Sequence, residues 1–164
     1  MKSSICIVFA VLFLLSCQAD SEKGQDKEIK RIDRPEASIL KGVFIPADKD
    51  VFYTSGLVSE VLNPDAPAGD LSKYGNTYEQ SVGTLKRIKE TLKTEGYDMQ
   101  DVFFLRVYLA PDDSGKIDWD AWFKAYGEYF NNEENPNKVA RSTIGVYKLA
   151  RPELLVEVEA VAAK

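Results

Sequence analysis

The chain has 164 residues, 45% of them apolar, enough for one domain with its own core. Its formal net charge is -5. A nucleic-acid binder carries a basic patch, so no nucleic-acid partner is expected. There is no histidine, which excludes histidine-based triads and most zinc enzymes and leaves acid–base work to carboxylates, tyrosines, lysines or held water.

The chain opens as an address. Met1-Lys2 is a short positive start, and Ile5 to Leu15 is an apolar run with the length of a secretory core segment, too short to cross a bilayer. Leu14-Leu15-Ser16-Cys17 has the spacing of a lipobox and resembles bacterial lipoprotein signals. Residues 1–16 are therefore expected to be a signal peptide. Cys17 is expected to be lipidated, anchoring an exported protein to a bacterial envelope membrane, periplasmic or at the cell surface. The only two cysteines, Cys6 and Cys17, lie here, so the folded part can form no disulfide framework and no thiolate metal cluster. Residues 17–36 hold the lipidated cysteine and then mostly Asp, Glu, Lys, Ser and Gly. That composition buries too little to offset its ordering entropy and reads as a flexible tether. Residues 37–164 are the expected domain.

Within that domain, 37–44 is a weak strand candidate, and Val51-Phe52-Tyr53-Thr54-Ser55-Gly56 a β-branched and aromatic strand that stops at glycine. Residues 60–75, with Pro64, Pro67, Gly69 and Gly75, form a loop. Asn76 with Glu79 three positions on is close to a capping box. Tyr78, Val82, Leu85, Ile88 and Leu92 then mark one face of a helix to about Thr94. Residues 101–110 read as a buried strand. Trp119, Trp122, Phe123, Tyr126 and Phe130 form the core stripe of a second helix, and 140–149 and 154–162 are two more strands. The last two are expected to pair as a hairpin across Ala150-Arg151-Pro152-Glu153. The order predicts an α+β domain: one sheet, both helices on one face. In the last strand Val156, Val158 and Ala160 share one face, and Glu157, Glu159 and Val161 the other. Charges there fit either solvent or a subunit boundary.

Few residues suggest chemistry. Arg141 can grip a carboxylate through two parallel hydrogen bonds or be a plain strand-end arginine. Glu157 and Glu159 point the same way, and can divide acid and base roles or be two solvated glutamates. Ser55-Gly56 permits close backbone approach to a ligand or is a simple turn. Lys86, Arg87, Lys89 and Lys93, interleaved with glutamate, read as a solvated helix face. No phosphate loop and no metal motif is present, so no metal site is expected.

Taken in order, Phe52-Tyr53-Thr54-Ser55-Gly56, Glu79-Gln80, Asp101-Val102 with Val107-Tyr108-Leu109, Phe123, Tyr126, Tyr129-Phe130, Ala140-Arg141-Ser142-Thr143-Ile144 and Val156-Glu157-Val158-Glu159-Ala160-Val161-Ala162 resemble the reactive-intermediate deaminase family (Rid, or YjgF-like). The resemblance implies a chorismate-mutase-like single domain with a mixed sheet. It implies a homotrimer with a site at each subunit boundary. It also implies cofactor-free hydrolysis of enamines and imines such as 2-aminoacrylate and 2-iminobutanoate to 2-keto acids and ammonia. By position it makes Arg141 the carboxylate clamp, Glu157 the group that positions or activates water, and Ser55, Gly56 and Thr143 pocket residues. Where many members have Gly-Pro-Tyr in the first strand, this chain has Leu40-Lys41-Gly42-Val43. That departure keeps a second expectation open, a non-catalytic module binding small 2-imino or 2-keto carboxylates. Ribonuclease or translation-inhibitor activity, a label some members carry, is the least expected.

Overall fold

The computed structural model describes residues 27–164. The expected signal peptide, Cys17 and the first part of the tether lie outside the described residues. Among those described, no helix is long and apolar enough to cross a membrane.

The strands are β1 (Lys30–Ile32), β2 (Gly42–Phe44), β3 (Val51–Tyr53), β4 (Val102–Leu109), β5 (Ala140–Gly145) and β6 (Val156–Ala163), and the helices are α1 (Thr77–Thr94) and α2 (Trp119–Tyr129). A four-stranded mixed sheet runs β3-β6-β4-β5, and β1 and β2 form a separate antiparallel pair. The α+β architecture with two helices agrees with the sequence reading. The expected hairpin between the last two strands does not form. β5 lies parallel to β4 and β6 antiparallel to it, so β4 separates the two. The physical reason is burial. β6 presents Val156, Val158, Ala160 and Ala162, all fully buried, and gains most as a central strand between β3 and β4.

Alternation along the central strands divides the sheet into two unlike faces. Val102, Leu105, Val107 and Leu109 of β4 join the apolar row of β6 beneath Leu85, Ile88 and Leu92 of α1 and Trp122 and Tyr126 of α2. Each valine, leucine or isoleucine among them contributes about 1.5–3 kcal/mol by leaving water. An irregularity between Val102 and Phe104 keeps both Val102 and Leu105 inside. The opposite face carries Arg106 and Tyr108 of β4 across from Glu159 and Glu157 of β6.

Helix α1 starts as expected. Asn76 Oδ1 accepts from Glu79 N, and Asn76 N donates to Glu79 Oε2. One turn in, fully buried Gln80 ties the helix to the approach to β6. Its Nε2 donates to the carbonyls of Gly75 and Glu153, and its Oε1 accepts from Leu155 N.

Lys30–Ile32, inside the segment read as tether, is strand β1. Its Arg31 guanidinium donates to the carbonyls of Lys138, Gln100 and Val102, each at 3.0 Å. Farther on, Leu40 N donates to Val139 O, and Tyr126 Oη donates to Ser38 O. Residues 31–40 thus fasten across the start of β5 and the middle of α2. A polar strand held by side-chain-to-carbonyl bonds leaves no hydrophobic signature in the sequence.

Replacing Gln80 by Leu strands buried groups of Leu155 and Glu153, and should cost about 3 kcal/mol, whereas Asn76→Ala should cost about 1 kcal/mol. Urea midpoints with unchanged m-values check both.

Candidate functional site

The structure gathers the expected site residues into two groups. The first lies at the end of β3. Thr54 is fastened to Ala160 through its N–H and its Oγ1, and Leu57 to Val158 through both backbone groups. Between these two ties Ser55 and Gly56 on one side face the single Glu159 on the other, so Ser55 and Gly56 bow outward. Gly56 lies directly against Glu157, and a Cβ added there would overlap the Glu157 carboxylate. The need for glycine is one of space. Ser55 is exposed beside it.

The two glutamates of β6 have different fates. Glu159 is bound by Arg106 Nη1 at 2.6 Å and by Tyr108 Oη at 3.2 Å. The Glu157 carboxylate, half-buried, has neither a hydrogen bond nor an ion pair among the described residues. Of the pair, Glu157 is the one left able to accept a proton or hold a water. The sequence shows two equivalent glutamates; the register that sets Arg106 opposite Glu159 separates them.

The second group lies on edge strand β5. Arg141 and Thr143 share the face turned toward α2, because Arg141 is in register with Leu105 and Thr143 with Val107. The Arg141 guanidinium sits 4.2 Å from the Tyr126 ring centre, 5.3 Å from Phe123 and 5.9 Å from Trp122. Burial draws its pKa below the ordinary arginine value, while the Tyr126 phenol acts in the opposite direction. Arginine titrates so high that it remains a cation. Burial likewise raises the Tyr126 phenol, and Arg141 pulls it back. Arg141 Nη1 and Thr143 Oγ1 are buried without a hydrogen-bond partner. A buried donor left unmatched is costly, and a water, a ligand or another chain would each satisfy it. The stripe on α2, read from sequence as core alone, therefore does two things. Trp122 and Tyr126 are buried, whereas Trp119 and Phe123 are 38% and 44% exposed, and three of these rings surround the arginine.

Within one chain the two groups do not meet. Arg141 is in register with Leu105 and Ala160, on the helix face, and Glu157 with Tyr108, on the open face. They are two strand spacings apart across the sheet, about 10 Å, and three residues apart along the strands, about 10 Å more, with the sheet between them.

Sequence reasoning passed over the surroundings of Glu157. A cavity of about 510 Å3 opens there, lined by Gly56, Ser59, Tyr74, Arg87, Arg151 and Glu157. Arg87, expected on a solvated helix face, instead donates from Nη1 to Val58 O at 2.9 Å. Among the described residues, no group of three or more His, Cys, Asp and Glu side chains is placed to hold a metal ion.

The Endoribonuclease L-PSP family profile matches residues 45–164. A RutC family protein of Pyrococcus horikoshii is 33% identical over 101 residues, covering 61% of this chain and 71% of that protein. The 3-aminoacrylate deaminase RutC of Acinetobacter baylyi is 31% identical over 121 residues, covering 73% of this chain and 85% of that enzyme. Among solved structures, a Rid family protein of Yersinia pestis superposes with a TM-score of 0.59 at 25% identity, covering 82% of this chain and 98% of that one.

Gly56→Ala should turn the flexible Glu157 carboxylate aside at a cost of about 1 kcal/mol or less. In a double-mutant cycle, Glu157→Ala should suppress most of that cost. Additive losses in thermal or urea unfolding would show that the two residues do not touch.

Proposed function

Since the chain belongs to the Endoribonuclease L-PSP family, to which the RutC and Rid proteins it resembles also point, we propose that it hydrolyses enamine or imine carboxylates to 2-keto acids and ammonia. The observation that carries this reading is the unpartnered Glu157 carboxylate held against Gly56 while its neighbour Glu159 is consumed by Arg106 and Tyr108. The Acinetobacter baylyi relative, a 3-aminoacrylate deaminase, supports enamine-carboxylate hydrolysis as the reaction type, although its substrate carries the nitrogen on C3.

The chemistry asks little of the protein. An enamine takes a proton at carbon and becomes the imine, whose C2 is electrophilic. Water adds to C2, giving up a proton as the C–O bond forms. Nitrogen then gains protons and leaves as ammonia, and the C=O of the keto acid forms. Glu157 receives the proton from water and returns it to nitrogen. Arg141 holds the substrate carboxylate with two parallel hydrogen bonds and fixes C2 against that water. Neither role requires histidine.

Arg141 and Glu157 face opposite sides of one sheet, so a single small substrate reaches both only if they come from neighbouring copies. The apolar and aromatic surface needed for such packing is present: Tyr53 is 70% exposed, Ile144 45% and Tyr147 88%. β5 also offers an unpaired edge. We place the active form as a homotrimer, tethered through lipidated Cys17 at the envelope. A second reading, carboxylate binding without turnover, is favoured by one feature. The segment that the resemblance sets against the tyrosine-bearing first strand of many members, Leu40-Lys41-Gly42-Val43, holds no tyrosine. RNA cleavage is disfavoured by the net charge of -5 and the lack of histidine.

Adding the full chain to a dehydratase acting on serine should accelerate keto-acid release. Arg141→Ala should lower kcat/KM by about 100-fold or more, chiefly through KM, and Glu157→Gln should lower kcat by about 100-fold or more. Equal release with and without the wild-type chain would contradict catalysis, and calorimetry with 2-keto acids would then decide whether binding remains.

A further inference from the structure

The cavity beside Glu157 holds two guanidinium groups, Arg87 and Arg151, alongside the carboxylates of Glu60 and Glu157, and a short apolar imino acid has no use for the two arginines. Arg151 Nη1 donates to the buried Tyr74 hydroxyl at 3.0 Å, which fixes its guanidinium at the cavity wall. Arg87, on α1, is tied to the Val58 carbonyl by one nitrogen. Neither arginine has an ion-pair partner among the described residues. Both are held by neutral acceptors only, which leaves further donors and the full charge for something else. Ser59, 2% exposed, lines the same wall, and its buried Oγ has no hydrogen-bond partner. Glu60 also lines the cavity, but it is exposed and bonded to neither arginine. The cavity, about 510 Å3, greatly exceeds what a three- or four-carbon imino acid displaces, roughly four waters at about 30 Å3 each.

We propose that this cavity receives the side-chain end of the substrate and that Arg151 and Arg87 select an anionic group there, so that the chain's substrates are 2-imino dicarboxylates and its products 2-keto dicarboxylates. The inference rests on the roles proposed for Arg141 and Glu157. Arg141 takes the carboxylate next to C2. Glu157 works at C2, and the two further arginines meet a second carboxylate two or three carbons away. Arg151 offers a planar fork suited to two parallel bonds with that group, and Tyr74 holds the fork in place. Ser59 adds a hydroxyl donor from the cavity wall.

Titration calorimetry of the full chain with 2-oxoglutarate and with 2-oxobutanoate tests this without relying on turnover. The dicarboxylate should bind about tenfold tighter or better. Arg151→Ala and Arg87→Ala should each move the ratio of the two affinities toward one, and Arg151→Lys should keep part of it. Equal affinities in the wild-type chain would overturn dicarboxylate selection while leaving the carboxylate site intact. An unchanged ratio in both alanine variants would overturn the role assigned to these arginines. Binding of neither keto acid would overturn this inference together with the proposed function on which it rests. Should either variant fail to fold, the wild-type ratio alone decides the substrate class.

Discussion

The period-two alternation of β4 and β6, the two central strands, is the constraint on which the other features depend. Val156, Val158, Ala160 and Ala162 must all turn toward the helices to fill the core, and this forces Glu157 and Glu159 onto the opposite face. The same alternation, carried into β5 through the parallel register with β4, turns Arg141 and Thr143 toward α2. A one-residue slip of β6 would bury two glutamates and expose the core row, and one of β5 would turn Arg141 and Thr143 away from α2, so the placement of the chemical groups is bound to the pairing of the sheet. Folding therefore fixes a geometry in which no one chain brings clamp and carboxylate together.

That division explains why each half looks unfinished. On one side an arginine sits among aromatic rings with a buried nitrogen unmatched. On the other a carboxylate lies against Gly56 without a partner. The proposed assembly of copies would resolve both at once, with the exposed aromatics of the open face as the packing surface. Residues 31–40 contribute from outside the matched family segment. Arg31 pins three carbonyls near the start of β5, and Ser38 takes the Tyr126 hydroxyl, so the ring stacked nearest Arg141 is held from behind. The arginine's aromatic cage thus comes from α2 alone and is braced from residues 31–40.

Much of this was legible in the sequence where the signal is local. Asn76 and Glu79 announce the start of α1, the spacing from Tyr78 to Leu92 its buried face, and the alternation from Val156 to Ala162 the two faces of β6. Pairing partners were not legible. Residues 150–153 look like a hairpin turn, yet β5 and β6 lie on opposite sides of β4, because the choice is made by burial over the whole sheet. The difference between Glu157 and Glu159 was invisible for the same reason, since it depends on Arg106 lying across one of them. Arg87 reads as one more charge in an alternating helix surface until the 57–61 segment folds against α1. Arg31 sits in a polar stretch whose role consists of bonds to distant carbonyls.

The central claim is that Arg141 of one copy and Glu157 of another act on one substrate. Subunit mixing tests it most directly. Arg141→Ala and Glu157→Gln chains, each inactive alone, are dissociated, mixed in equal amounts and reassembled. If the site spans two copies, random assortment restores about a quarter of wild-type activity, because that share of boundaries receives both intact groups. If the two residues serve from the same chain, the mixture stays as inactive as its parents, and a site shared between copies is contradicted.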